Sequence, residues 1–313
     1  MNRNRAIDAV RAIACVFVLF VHCPLPGQAG VWVNSLARFA VPFFLMVSGY
    51  HALRPAPDKT LAAAKKRLAA TAKLTLAGTA FYAVSNTLRC VFSGQRAFSW
   101  LSSLLSPTGV RRFFIFNRAV FLSSVMYYLF MLLYVYALFM LFVRTGTLRI
   151  ALYAVPVLLA ANVVMNEFLC LPWYWAGNFL LTGLPFFLLG YLIAARGVRF
   201  ARAHWLIAPA LLFACWETRF NPEIYCGIGS VVASVCIFLT CLQHPQPRIP
   251  RWLVRFGQEG APTLFIIHCG VRDHLQLLVP KSLPLYGWLF PLLVVAVSAG
   301  ISVLAASVRR VRH

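Results

Sequence analysis

Apolar residues run along this chain in blocks of membrane-spanning length, and polar residues are confined mainly to the short connections between them. A hydrocarbon layer about 30 Å thick requires about 20 consecutive apolar residues in a helix. Segments of this kind lie at 7–25, 32–53, 70–92, 119–143, 149–166, 174–195, 204–218, 224–242, 261–279 and 285–307. None shows the strict alternation of a barrel strand. The pattern predicts an all-α, polytopic membrane helical bundle of about ten transmembrane helices, with 1–313 as a single membrane-embedded domain and no appended soluble domain. Composition agrees, since 61% of residues are hydrophobic and only 12% charged, far more apolar surface than a soluble core needs.

The net charge of +22 would suggest nucleic acid in a soluble protein, but here it is sorted by loop. Basic residues recur in every second connection: Arg3 and Arg5; Arg54, Lys59, Lys65, Lys66 and Arg67; Arg144 and Arg149; Arg196, Arg199 and Arg202; Arg248, Arg251 and Arg255; Arg309, Arg310 and Arg312. This is the positive-inside pattern, so both termini are expected in the cytoplasm and no nucleic-acid partner is implied. One stretch disobeys. The connection at 93–118 is expected outside, yet it holds Arg96, Arg111, Arg112 and Arg118, with Arg89 just before it. Either a long loop translocates regardless of its charge, or the loop forms a basic lip for an anionic acceptor such as a lipid-linked phosphate or an acidic sugar. Its Phe98-Ser99-Trp100-Leu101 tract reads as a short interfacial helix.

Other features are less specific. Nine cysteines, an odd number without a C-x-x-C pair, indicate neither a disulfide framework nor a zinc site and are expected as small core residues. Arg3 and Arg5 before an apolar stretch imitate a signal peptide, but Asp8 and Arg11 interrupt it and predict an uncleaved first span. Trp173-Tyr174-Trp175 reads as an interfacial aromatic belt.

An ionisable group inside a span is costly, which makes each one a functional candidate. Arg11 and His22 are eleven residues apart, about 20° beyond three full helical turns and about 16 Å in rise, so they share a face of the first span. Asp8 lies one turn before Arg11 and can pair with it. The plain alternative is an interfacial ion pair and a histidine bonded to a neighbouring helix. His268, in the ninth apolar segment, offers a second imidazole under the same alternative. Arg272, Asp273 and His274 read as an interfacial ion pair, Glu167, Glu217 and Glu223 as solvated residues at external ends, and His51 has no assigned role.

In the second span, Val41-Pro42-Phe43-Phe44-Leu45-Met46-Val47-Ser48-Gly49-Tyr50 follows Arg38. Together with Arg11-x10-His22 it resembles the N-terminal signature of acyltransferase family 3, bacterial membrane-bound acyltransferases that modify surface polysaccharides and other extracytoplasmic acceptors. Lys65, Lys66 and Arg67 resemble the family's cytoplasmic basic cluster. Pro185-Phe186-Phe187-Leu188-Leu189-Gly190 resembles its F-x-x-G span, and Phe256-Gly257 followed by Leu264-Phe265-Ile266-Ile267-His268 resembles its late glycine-to-histidine motif. Tyr127-Tyr128-Leu129 and Glu259 with Ala261 depart from the family pattern, which bears on acceptor choice.

The resemblance implies a cytoplasmic acyl-CoA donor, acetyl-CoA in the first instance, used as a co-substrate with no permanently bound cofactor and no metal. The acceptor is then a hydroxyl of a surface or lipid-linked glycan, the other partner is membrane lipid, and the location is the bacterial cytoplasmic (inner) membrane. Arg11, Lys65, Lys66 and Arg67 are expected to hold the CoA phosphates. His22 is expected to act as general base on the acceptor hydroxyl, with direct transfer and an acyl-histidine intermediate both open. Arg38, Ser48 and His268 are expected to contribute to substrate binding. Pro42 bends the second span and Gly49 permits close helix approach, with packing alone as the alternative for both. A transporter or flippase of a lipid-linked sugar, with Arg11 and His22 lining its path, is the rival reading, and a structural subunit of a glycan-assembly machine is another.

Overall fold

The computed structural model describes residues 3–102, 106–118, 122–221 and 224–311; Glu223 and Arg312 lie outside them. No strand is found among the described residues. The helices are α1 (Arg5–His22), α2 (Gly27–Ala37), α3 (Ala40–Tyr50), α4 (Pro57–Phe92), α5 (Pro107–Phe116), α6 (Met126–Thr145), α7 (Leu148–Tyr153), α8 (Val155–Val163), α9 (Trp173–Ala176), α10 (Leu184–Arg196), α11 (Ala203–Glu217), α12 (Ile228–Gln243), α13 (Arg251–Arg255), α14 (Ala261–Leu278) and α15 (Tyr286–Val311). Three π-helical turns, Val164–Phe168, Phe179–Gly183 and Phe256–Gly260, extend α8, lead into α10 and join α13 to α14.

Five helical stretches are long and apolar enough to cross a bilayer: Gly27–Tyr50, Met126–Thr145, Leu148–Phe168, Phe179–Arg196 and Tyr286–Arg310. The chain is an all-helical, multi-pass membrane protein. The other five predicted spans are also helical but lack that profile. Helices α1, α4 and α14 carry ionisable residues in their turns, and α11 and α12 are apolar but only 15 and 16 residues long.

The second predicted span is two helices rather than one, with the break at Arg38 and Phe39. Proline explains its position. Pro42 has no N–H to offer the carbonyl of Arg38 four residues earlier, so the helical ladder is interrupted at Arg38. Below the break, α3 crosses α10 at almost backbone contact. A Cβ at Gly49 would lie 1.8 Å from the Phe187 carbonyl oxygen, and one at Gly190 would lie 2.1 Å from the Met46 carbonyl oxygen. Without a hydrophobic drive between helices in lipid, such close backbone approach supplies the dispersion contact that holds them together.

A third glycine fixes α1. Gly257, in the π-turn before α14, packs on the backbone of Asp8, where an added Cβ would meet the Asp8 carbonyl oxygen at 1.7 Å. The late glycine motif therefore docks on the N-terminal half of the first span.

Two carboxylates expected in solvent are structural instead. Glu217 is 5% exposed, and its carboxylate accepts from the Gly229 N–H at 3.1 and 3.2 Å, while Glu167 Oε1 accepts from the Ile228 N–H at 2.5 Å. Both cap the start of α12, where unpaired N–H groups and the positive end of the helix dipole favour an acid.

The α3–α10 crossing yields the first prediction. Gly190→Val should lower the thermal unfolding midpoint of the detergent-solubilised protein by several degrees, because overpacking costs about 1–3 kcal/mol or more. Gly300→Ala, in α15 with no atom within 4 Å of the added methyl group, should be neutral or slightly stabilising. Equal midpoints for the two variants would contradict the crossing.

Candidate functional site

A cavity of about 590 Å³ opens among the segments at the end of the bundle opposite the N-terminus. His22, the last residue of α1, lines it together with Arg38, Ser124, Tyr127, Trp173 and Tyr225; Val18, Val21 and Phe265 supply apolar wall. A mostly apolar concavity with a few convergent polar groups is the form a ligand site takes.

His22 is held on three sides. Ser124 Oγ lies 3.2 Å from its Nδ1. The Arg272 guanidinium donates to its main-chain carbonyl at 2.6 Å, satisfying one of the open carbonyls at the end of α1 with a cation at the negative end of the helix dipole. Arg272 is itself oriented by Asp273, which also faces Arg89 at 3.8 Å. The third neighbour is His268, whose ring centroid is 5.3 Å from that of His22. His268 is 1% exposed; its Nδ1 lies 3.0 Å from the Leu264 carbonyl, and its Nε2 is buried without a hydrogen-bond partner. A ring that gives Nδ1–H to a carbonyl keeps a lone pair on Nε2.

Opposite His22, Arg38 lines the cavity from the break between α2 and α3. One guanidinium nitrogen donates to the Tyr225 carbonyl at 3.4 Å, and Nε is buried without a partner. The Tyr225 loop is placed by amides: Asn166 Oδ1 accepts from the Tyr225 N–H at 3.1 Å, and Asn166 donates to the Asn162 carbonyl at 2.8 Å. The Tyr225 and Tyr127 hydroxyls are 2.8 Å apart, and the Trp173 ring stacks 6.0 Å from that of Tyr225. Trp173 is thus a cavity wall. The aromatic tract Trp173-Tyr174-Trp175 supplies this wall through its first residue, just before the turn at Asn178, which caps Leu180 and Leu181.

A second polar cluster surrounds Arg11, near the other end of α1. Asp8, 2% exposed, accepts from Arg3 at 3.0 Å and from Gln258 at 2.9 Å and pairs with Arg11 at 3.6 Å. The Tyr136 hydroxyl faces Ser48 and Arg67, with Arg11 in electrostatic range, and Tyr128 faces Ser48 and Arg11. Ser48 also donates to the Phe44 carbonyl at 2.9 Å. Ser48 therefore stands with Arg11, whereas Arg38 stands with His22. Lys65 and Lys66 are exposed on α4, and Arg67 is the member of that triplet turned toward the bundle.

The donor atoms of His22, His268 and Cys269 lie within 4.8 Å of one another. Zinc bonds of about 2.0–2.3 Å at tetrahedral angles place ligand atoms about 3.3–3.7 Å apart, so these side chains would have to close by about an ångström to hold such an ion. The cysteine spacing that argued against zinc carries no information on a set assembled from α1 and α14.

Several site residues left no trace in the sequence. Ser124 falls within the apolar run at 119–143 with nothing to mark it, Tyr225 reads as an ordinary aromatic, Tyr127 stands out only within the Tyr127-Tyr128-Leu129 departure from the family pattern, and Arg272 pairs only with its chain neighbour. For Arg38 the available signal is Pro42, which marks the break beside it.

Residues 4–308, essentially the whole chain, match the family model described as an acyltransferase domain. No curated protein and no solved structure matches it. The match spans both ends of α1, the broken second span, the α3–α10 crossing and the Gly257 to His268 segment, and the chain belongs to acyltransferase family 3.

Proposed function

We propose that this membrane acyltransferase moves an acyl group, acetyl in the first instance, from cytoplasmic acyl-CoA to a hydroxyl of an extracytoplasmic or lipid-linked glycan, with His22 as general base. The observation that carries the reading is the division of α1: a basic cluster at Arg11 and, eleven residues on, an imidazole lining a cavity at the opposite end. The rise between them, about 16 Å, is comparable to the reach of an acyl-pantetheine arm.

In this reading Arg11 and Arg67, with Lys65 and Lys66 at the surface, hold the CoA phosphates through charge-assisted hydrogen bonds. The acceptor occupies the cavity. With Nδ1–H given to Ser124, His22 presents a basic Nε2. It takes the proton from the acceptor hydroxyl as that oxygen attacks the thioester carbonyl. The C–S bond then breaks, and the same proton passes to the departing thiolate, leaving ester and free CoA. His268 buttresses the imidazole, and Arg272 fixes the backbone from which it projects. The basic loops argue for cytoplasmic termini, an orientation that would put Arg11 on the donor side.

His22→Ala should lower transfer of radiolabel from acetyl-CoA to a membrane extract by 10²-fold or more, with membrane abundance unchanged. Full labelling by that variant would refute the base assignment. Arg11→Ala should raise the KM for acetyl-CoA about tenfold, and Arg11→Lys should recover part of it. An unaltered donor dependence in Arg11→Ala would remove the phosphate-holding role.

A further inference from the structure

Among the described residues, the cation in the cavity beside His22, Arg38, has no counter-ion. The chain has seven acidic residues, and the six among the described residues are engaged elsewhere or exposed. Asp8 pairs with Arg3 and Arg11, Asp273 with Arg89 and Arg272, and Glu259 with Arg255 and Arg310; Glu167 and Glu217 cap α12; Asp58 is exposed in the first turn of α4. Arg38 forms no ion pair among the described residues, and the Tyr225 carbonyl is its one hydrogen-bond acceptor. Arg38 is half-buried with its Nε sequestered, and a guanidinium drawn partly out of water without an anion is unfavourable.

A second guanidinium approaches the same cavity through its aromatic wall. Arg118 lies 5.4 Å from the centroid of the Trp173 ring and 5.0 Å from that of Tyr174, and its Nε is likewise buried without a partner. Its position is built. Asn117, fully buried with φ 47°, ends α5 in the left-handed region, accepts from the Phe179 N–H at 2.8 Å and donates to the Tyr127 carbonyl at 3.1 Å. The basic connection that breaks the charge alternation is thereby fastened to the cavity wall. Trp173 and Tyr225, stacked on one another, give the cavity an aromatic wall of the kind against which a sugar packs, with Arg38 within the cavity and Arg118 on the Trp173 ring beside it.

We propose that the acceptor is an anionic glycan whose phosphate or carboxylate group is bound by Arg38, with Arg118 contributing at the rim, while the sugar that carries the reacting hydroxyl lies against Trp173. This rests on the reading of His22 as the base acting in the same cavity and adds the charge of the acceptor to it. It is a binding role: the anion is part of the acceptor, so Arg38 selects which glycan enters.

The full-length protein in detergent, without acyl donor, is titrated with glucose 1-phosphate, glucuronate and glucose, and binding is read by ligand-observed NMR. The wild type should bind at least one of the two anions at least tenfold more tightly than glucose. Preference for the phosphate or for the carboxylate identifies the group and supports the proposal in either case. Arg38→Gln should abolish the preference, Arg38→Lys should keep part of it, and Arg118→Gln should reduce it by a smaller factor. Because binding is read without donor or turnover, a failure of the transfer chemistry remains distinguishable from a failure of this inference. Equal binding of all three ligands by the wild type would overturn it. So would an Arg38→Gln protein that elutes and melts as the wild type does, keeps the anion preference and loses only turnover, since Arg38 would then act on the reaction and not on the acceptor.

Discussion

A helix that carries Asp8, Arg11 and His22 through a bilayer is tolerable only if its neighbours satisfy each of them, and much of the bundle is arranged to do so. Near its start, the π-turn at Phe256–Gly260 brings Gly257 against the α1 backbone and Gln258 onto the Asp8 carboxylate, which then serves Arg3 and Arg11 together. At its end, Arg272 holds the carbonyl of His22, and Ser124 and His268 flank the ring. Both sets of supports come largely from the α13–α14 segment. Gly257 and His268 are thus the two ends of one splint laid along α1, a physical reason for a glycine and a histidine to recur at this spacing in one motif.

The same requirement explains the irregular second span. A continuous helix would leave Arg38 with its helical neighbours. Pro42 interrupts the ladder at the Arg38 carbonyl, and the α3–α10 crossing at Gly49 and Gly190 then locks the lower half in place, so the break stays at the cavity. Bend and crossing act together: Pro42 sets where the helix breaks and the glycines hold the lower segment.

What the sequence made legible follows from which interactions are local. Helix positions came from apolar runs, and the shared face of Arg11 and His22 from helical period alone; both depend on neighbours in the chain. Pairing between distant segments did not come through. Glu217 looked solvated because its partner, the start of α12, lies across a loop. The place of Trp173 in the cavity wall was hidden because its stacking partner, Tyr225, lies 52 residues away. Ser48 and Arg38 read as one lining, yet ten residues of helix, about 15 Å, separate them, so Arg38 reaches the His22 cavity while Ser48 stays with Arg11. The excess charge of the 93–118 connection was visible, but its fastening through Asn117 was not.

The central claim is that one helix joins a donor site at Arg11 to a reaction site at His22. The most direct test is a cryo-electron microscopy structure of the full-length protein bound to a non-hydrolysable thioether analogue of acetyl-CoA. Nucleotide density is expected against Arg11 and Arg67, with the pantetheine arm running along α1 and its terminal group within about 4 Å of His22 Nε2. Nucleotide bound at the cavity end of α1, or an arm that ends away from His22, would contradict it.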